Sequence, residues 1–103
     1  MEISPSELHK KINKENIFLL DVRTLEEYKE DKIENTILIP IQVLDTRYKE
    51  IPKDKEIITI CAHGNRSLRA TKFLNSLGYK ALSLKGGMED WNNLIKNGKI
   101  IKT

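Results

Sequence analysis

The chain of 103 residues has one cysteine, only two histidines and no long apolar run. A single cysteine cannot form an internal disulfide, so we expect a free thiol in a reducing compartment. No segment approaches the roughly 18 consecutive apolar residues that a membrane helix needs. The first five residues, Met1–Pro5, lack the basic start and apolar stretch of a signal peptide. The sequence therefore predicts a cytoplasmic protein that does not associate with membranes.

Neither the charge nor the histidines indicate a nucleic-acid or metal site. The 18 Lys and Arg residues exceed the 15 Asp and Glu residues by only three, and the lysines are scattered among acids. Nucleic-acid binding is therefore not expected, although a mild positive bias helps small anions to approach. The histidines have no second His or Cys at metal-ligand spacing, so we expect no metal and no cofactor.

Length and residue pattern predict one α/β domain covering residues 1–103. Short apolar strand patterns alternate with helical patterns, which indicates a central parallel sheet flanked by helices on both faces. Two capping boxes, Ser4-Pro5-Ser6-Glu7 and Thr24-Leu25-Glu26-Glu27, predict helix starts. We expect the first helix to end near Lys14 and a further helix to span residues 41–48.

The only cysteine lies between a strand pattern and a helical pattern. Ile57–Ile60 is a β-branched run typical of a buried strand, and Ala70, Phe73 and Leu74 begin a helical periodicity after it. Cys61 is therefore expected at the carboxyl end of a strand and before a helix amino terminus, where N–H groups and the helix dipole favour an anion such as a thiolate. A lone cysteine can also be a small buried hydrophobe, but such a residue needs no helix directed at it.

The loop Cys61-Ala62-His63-Gly64-Asn65-Arg66-Ser67 resembles the active-site loop of the rhodanese-like sulfurtransferases. Further pieces follow the family's order: Asp21-Val22-Arg23 with Glu27-Tyr28, Gly78-Tyr79, and the closing Gly86-Gly87-x-x-x-Trp91 pattern. One segment departs from it, because Asp31–Thr36 replaces a His-Ile-x-Gly-Ala turn. Asn35 can adopt the left-handed conformation that the family's glycine supplies there.

The resemblance implies a single rhodanese-like domain in which Cys61 is the catalytic nucleophile and carries a persulfide. The N–H groups of the loop would bind the donor and the persulfide sulfur; its residues are Ala62, His63, Gly64, Asn65, Arg66 and Ser67. The implied partners are a small anionic sulfur donor such as thiosulfate, a cyanide or thiol acceptor, and a sulfur-relay protein.

Individual residues of the loop carry more specific expectations. We expect Arg66 to face the bound anion rather than a structural carboxylate, and Ser67 to cap the following helix. Cys61 is expected to be partly exposed, and His63 to be an exposed loop residue. Asp21 and Arg23 are interpreted as a structural ion pair or a loop anchor and are left out of the catalytic set.

Two other functions are compatible with the same sequence. The same loop suits a carrier that holds persulfide for a protein partner, with thiosulfate turnover incidental. A third hypothesis is that the protein is a cysteine phosphatase or arsenate reductase of related architecture. Phosphatases with a cysteine loop have five residues between cysteine and arginine, whereas four separate Cys61 from Arg66.

Overall fold

The computed structural model describes residues 1–101 and contains a five-stranded sheet whose strand pairs all run parallel. The strands are β1 (Glu2–Ile3), β2 (Ile17–Asp21), β3 (Ile37–Leu38), β4 (Glu56–Ile60) and β5 (Lys80–Leu84). Across the sheet their order is β1, β5, β4, β2, β3. The central position of β4 places the residue that follows it between the ends of β2 and β5.

Helices and short 3₁₀ turns connect the strands. They are α1 (Pro5–Lys11), α2 (Leu25–Glu30), α3 (Leu44–Arg47), α4 (Asn65–Ser76) and α5 (Gly87–Lys96), with 3₁₀ turns at Ile41–Val43 and Tyr48–Glu50. Both predicted capping boxes are confirmed, because the hydroxyls of Ser4 and Thr24 each accept the N–H three residues further on.

Apolar clusters on both faces of the sheet confirm the predicted α/β architecture. Neighbouring residues of one strand belong to different clusters: Leu20 packs in the first and Leu19 in the second. The first cluster lies under α4 and the segment from residue 41 to residue 51, and the second lies under α1 and α5. This alternation is expected of a parallel sheet that is buried on both sides. Trp91, 2% exposed, anchors α5 in the second cluster.

Two helix predictions were wrong in their extent. The first helix ends at Lys11 instead of near Lys14, because the chain turns there to enter β2. Residues 41–48 do not form one helix but a 3₁₀ turn, the single-turn helix α3 and the start of a second 3₁₀ turn. The backbone at Val43 and Arg47 leaves the α-helical region, with ψ of 6° and 0°, which breaks the helix at both junctions.

The turn that departs from the family pattern contains a left-handed residue. Asn35 has a φ of 65°, so it supplies the left-handed conformation as predicted. None of the helices found among residues 1–101 combines the length and apolarity needed to cross a bilayer.

Candidate active site

Cys61 directly follows β4, at the carboxyl end of the sheet, as predicted. Its side chain, however, is not partly exposed: the residue is 1% exposed and belongs to the first apolar cluster together with Leu20 and Ala70. The expectation of partial exposure was wrong because the following loop folds back over the sulfur. The thiol is therefore a buried group at the floor of the loop.

Two main-chain N–H groups converge on the sulfur of Cys61. The Gly64 N–H donates to Sγ at 3.0 Å and the Ser67 N–H donates to it at 3.3 Å. Gly64 is the N-cap of α4 and has a φ of 101°, a left-handed conformation that glycine adopts without strain. The helix amino terminus thus points at the sulfur, an arrangement that stabilises negative charge there.

The first two residues of the loop are held by the first turn of α5. The Met88 N–H donates to the carbonyl of Cys61 at 2.8 Å, and the Glu89 N–H donates to that of Ala62 at 3.1 Å. Asn65 is exposed at the first position of α4. The glycine pair before Met88 packs directly against the loop, since Gly86 lies beside Gly64 and Gly87 lies against the main chain of Cys61 and Ala62.

Ser67 does not cap the helix as predicted, because it is the third residue of α4 and Gly64 occupies the N-cap. Its hydroxyl is fully buried and turns inward. Ser67 Oγ lies 3.3 Å from Cys61 Sγ, 3.2 Å from the carbonyl oxygen of Gly64 and 2.6 Å from the hydroxyl of Ser83 on β5. The side chain thus contacts the sulfur instead of a helix end.

The prediction that Arg66 faces an anion rather than a carboxylate was wrong. Its two terminal nitrogens bind both carboxylate oxygens of Glu27 on α2, at 2.7 Å and 2.8 Å. A planar guanidinium matches a carboxylate in this paired geometry, so the positive charge is largely balanced within the protein. The pKa of Arg66 is raised above its ordinary value, chiefly by its hydrogen bonds to Glu27.

The ion pair strongly perturbs Glu27. Hydrogen bonds from the Arg66 side chain lower the pKa of Glu27 from its ordinary value of 4.5 to about 2, against an opposing effect of burial. Because the carboxyl has its depressed pKa only in the folded state, it contributes stability that is complete above pH 4.5. That contribution is lost as the pH falls toward 2.

We expect Glu27→Gln to lower the free energy of unfolding by about 1 kcal/mol at pH 7, since the pair is only partly buried. The substitution should also flatten the fall of that free energy between pH 4.5 and pH 2, because the titrating group is gone. Urea unfolding at several pH values measures both effects.

Glu50→Gln is the matched control for this prediction. Glu50 also pairs with an arginine, Arg47, but its side chain is 54% exposed, so its removal should leave the acid limb nearly unchanged. Equal pH dependence in the two variants would mean that the Arg66–Glu27 pair does not stabilise the fold.

His63 is exposed, as predicted, and it makes one contact that the sequence did not indicate. Its Nδ1 lies 2.6 Å from a carboxylate oxygen of Glu89 on α5, with the two side chains 69% and 59% exposed. The pair links the rim of the loop to the first turn of α5. Exposed pairs of this kind contribute little to stability.

Asp21 and Arg23 form the structural ion pair that the sequence predicted. Arg23 Nη2 lies 2.8 Å from Asp21 Oδ2, and the two side chains are 3% and 0% exposed. Arg23 also donates to the main-chain carbonyl of Asp31 at 2.7 Å, which ties the end of β2 to the chain after α2. Among residues 1–101, no three His, Cys, Asp or Glu side chains are placed to hold a metal ion.

Two residues beside the loop were missed by the sequence analysis. Glu27 was noticed in the sequence only as the acidic residue of a capping box, and that role gave no reason to expect a second partner. Ser83 is the one hydroxyl in the strand segment Ala81–Leu84, and a buried hydroxyl requires a hydrogen-bond partner. The sequence could therefore have predicted a buried hydrogen bond for Ser83, but it does not reveal that the partner is Ser67.

Comparison with known proteins identifies the family to which the chain is similar. The family model described as the Rhodanese-like domain matches residues 4–94. A putative sulfurtransferase of Bacillus subtilis, YtwF, is 35% identical over 92% of this chain and 93% of its own length. The thiosulfate sulfurtransferase GlpE of Coxiella burnetii is 31% identical over 87% of this chain and 85% of its own length.

A solved structure gives the same result in three dimensions. The crystal structure of a rhodanese-related protein from Thermoplasma volcanium aligns with a TM-score of 0.85 and 37% identity, covering 89% of this chain and 90% of that one. Sequence and fold therefore agree over most of the chain, which belongs to the family of rhodanese-like domains.

Proposed function

We propose that residues 1–103 form a single rhodanese-like domain that acts as a sulfurtransferase, with Cys61 as the nucleophile. The observation that carries the proposal is the arrangement at the sulfur, where the N–H groups of Gly64 and Ser67 both donate to Sγ. Such donors are useful where negative charge develops, because they need no reorganisation during the reaction. The names of the Bacillus subtilis and Coxiella burnetii relatives support the same chemistry.

The first step transfers sulfur onto the enzyme. The Cys61 thiolate attacks the outer sulfur of thiosulfate, the sulfur–sulfur bond of the donor breaks, and sulfite leaves with the bonding electron pair. A persulfide remains on Cys61, and the loop formed by Ala62, His63, Gly64, Asn65, Arg66 and Ser67 surrounds it. The N–H groups of this loop are proposed to stabilise the terminal sulfur, which carries the negative charge.

The second step regenerates the thiolate. Cyanide or a thiol attacks the terminal sulfur, and the bond to Cys61 Sγ breaks with its electrons returning to the cysteine. With cyanide the product is thiocyanate. The two displacements are separated by a covalent intermediate, so ping-pong kinetics are expected.

The burial of the thiol restricts which donors can react. At 1% exposure, Cys61 offers almost no surface to a reacting donor. A slim anion with a terminal sulfane sulfur suits this access better than a bulky donor. The thiosulfate assignment thus rests on size and charge, and the chemistry is carried by the chain's own thiol.

The same burial also favours a second candidate, a carrier that shelters persulfide until a sulfur-relay protein collects it. Both functions use Cys61 and the same loop, so the rate distinguishes them. A kcat/KM for thiosulfate near or above the ordinary enzyme range of about 10⁴ M⁻¹s⁻¹ supports the enzyme. A value lower by orders of magnitude, with rapid transfer to a protein acceptor, supports the carrier.

We expect the protein to transfer sulfur from thiosulfate but not to hydrolyse phosphate esters. Four residues separate Cys61 from Arg66, and Glu27 already binds both terminal nitrogens of that arginine. A phosphoryl transition state spreads charge over three oxygens that must meet donors, and small misplacements of donors cost about 10²-fold.

Assays with thiosulfate and an aryl phosphate, run side by side on one preparation, test the assignment. Sulfur transfer well above phosphate release is the expected result, and Cys61→Ala is the control for both. Cys61-dependent phosphate release that exceeds sulfur transfer would overturn the proposed function.

A further inference from the structure

The hydroxyl of Ser83 has a single hydrogen-bond partner among residues 1–101, the hydroxyl of Ser67. The two oxygens lie 2.6 Å apart, both residues are fully buried, and Ser67 Oγ in turn lies 3.3 Å from the sulfur of Cys61. The hydroxyls of Ser83 and Ser67 therefore form a continuous line from β5 to the reactive sulfur. Neither the sequence motif nor the family's loop includes Ser83.

Counting hydrogens fixes the direction of this line. The carbonyl of Gly64 can only accept a hydrogen bond, and Ser67 has one hydroxyl hydrogen to donate. While Cys61 is a thiol, its S–H donates to Ser67 Oγ, and Ser67 donates to the Gly64 carbonyl at 3.2 Å. Ser83 has no other acceptor within the described residues, so its hydrogen points to Ser67 Oγ.

Loss of the thiol proton changes two of these bonds: the bond between the sulfur and Ser67 Oγ reverses its direction, and the bond from Ser67 to the Gly64 carbonyl is lost. A thiolate accepts hydrogen bonds but cannot donate, so the hydrogen of Ser67 must rotate from the Gly64 carbonyl to the sulfur. Ser83 continues to donate to Ser67 Oγ, which holds that oxygen in place and polarises its O–H toward the sulfur. The thiolate then has three donors: the N–H groups of Gly64 and Ser67 and the hydroxyl of Ser67.

We propose that Ser83 is a positioning residue for the nucleophile, acting through Ser67 to stabilise the Cys61 thiolate. The proposal rests on the proposed role of Cys61, since a thiol without a chemical task would not need a third donor. Ser83 never touches the substrate. Its effect reaches the sulfur only through the orientation and polarity of the Ser67 hydroxyl.

The charged groups around the sulfur are not altered by a change at Ser83. They belong to the loop, α2, α4, α5 and the end of β2, and they are Arg66 with Glu27, Asp21 with Arg23, and His63 with Glu89. A shift in the titration of the thiol in a Ser83 variant therefore reports the hydroxyl line and not a lost charge.

The test measures the rate of Cys61 alkylation by iodoacetamide as a function of pH. Only the thiolate reacts, and no sulfur transfer is required, so this inference and the proposed function can fail separately. In Ser83→Ala, the midpoint of the rate profile should move to higher pH by about half a unit or more. At a pH below the midpoint, a shift of half a unit makes alkylation roughly threefold slower.

Two further variants separate positioning from stability. Thr71→Val removes a buried hydroxyl that contacts Thr59, which in turn bonds the main-chain carbonyl of Ser67 and not its hydroxyl, so it should destabilise the fold without moving the midpoint. Ser83→Thr keeps a hydroxyl and should restore most of the parent profile. Thermal melting of each variant confirms that the folded protein is being measured.

An unchanged midpoint in folded Ser83→Ala, or an equal shift in Thr71→Val, would overturn the proposal. If Ser83→Ala does not fold, Ser83→Thr is compared with the parent protein instead. Because Ser83→Thr keeps the hydroxyl, the midpoint of its alkylation profile should equal that of the parent. A midpoint in folded Ser83→Thr that has risen by as much as half a unit would contradict the role of the hydroxyl.

Discussion

Cys61→Ser should reduce sulfur transfer from thiosulfate to cyanide by about 10³-fold or more. Serine cannot form the persulfide, so both displacement steps are lost together, and removal of a covalent nucleophile has effects of this size or larger. The steady-state assay measures thiocyanate formation in the variant and the parent at equal concentrations of folded protein.

The same variant should remain folded although Cys61 is buried. Serine is close in size, and its oxygen can still accept the N–H groups of Gly64 and Ser67. The cost of placing a hydroxyl among apolar neighbours is about 1 kcal/mol when it keeps such partners. Substantial turnover in folded Cys61→Ser would rule out the covalent mechanism.

Gly87→Ala should destabilise the protein by about 3 kcal/mol or more and should also reduce activity. Gly87 has a φ of 63°, and a Cβ there would lie 2.6 Å from the carbonyl carbon and oxygen of Ala62 and closer still to the carbonyl of Cys61. The left-handed conformation costs about 1 kcal/mol, and the clash with main-chain atoms adds to it because backbone cannot rotate away. The melting temperature should fall by roughly 15 °C.

Gly98→Ala is the matched control. Gly98 has nearly the same φ, 71°, but a Cβ there meets no atom of residues 1–101 within 4 Å. Its substitution should therefore cost only the conformational part, about 1 kcal/mol, and leave sulfur transfer unchanged. Equal losses in the two variants would show that the turn does not press against the cysteine loop.

The local elements of this fold could be predicted from sequence because their causes are local. The capping boxes at Ser4 and Thr24, the strand before Cys61 and the left-handed Asn35 each depend on a few adjacent residues. Residues 41–48 were less predictable. Their apolar spacing is helical, but the backbone at Val43 and Arg47 does not have α-helical angles, and the helix is interrupted there.

The surroundings of the active site were harder to predict because they depend on contacts distant in sequence. Arg66 meets Glu27 across 39 positions of the chain, and Ser67 meets Ser83 across 16. A motif indicates that a loop surrounds the sulfur, but it does not say which charge is already paired. The same holds for Cys61, whose burial follows from the packing of the loop against the first apolar cluster.

The intact mass of the purified protein before thiosulfate, after thiosulfate and after cyanide tests whether Cys61 carries the transferred sulfur. We predict a gain of one sulfur atom with thiosulfate, its loss with cyanide, and no gain in Cys61→Ser. A folded parent protein that gains no sulfur, or a gain that persists in Cys61→Ser, would contradict a persulfide on Cys61.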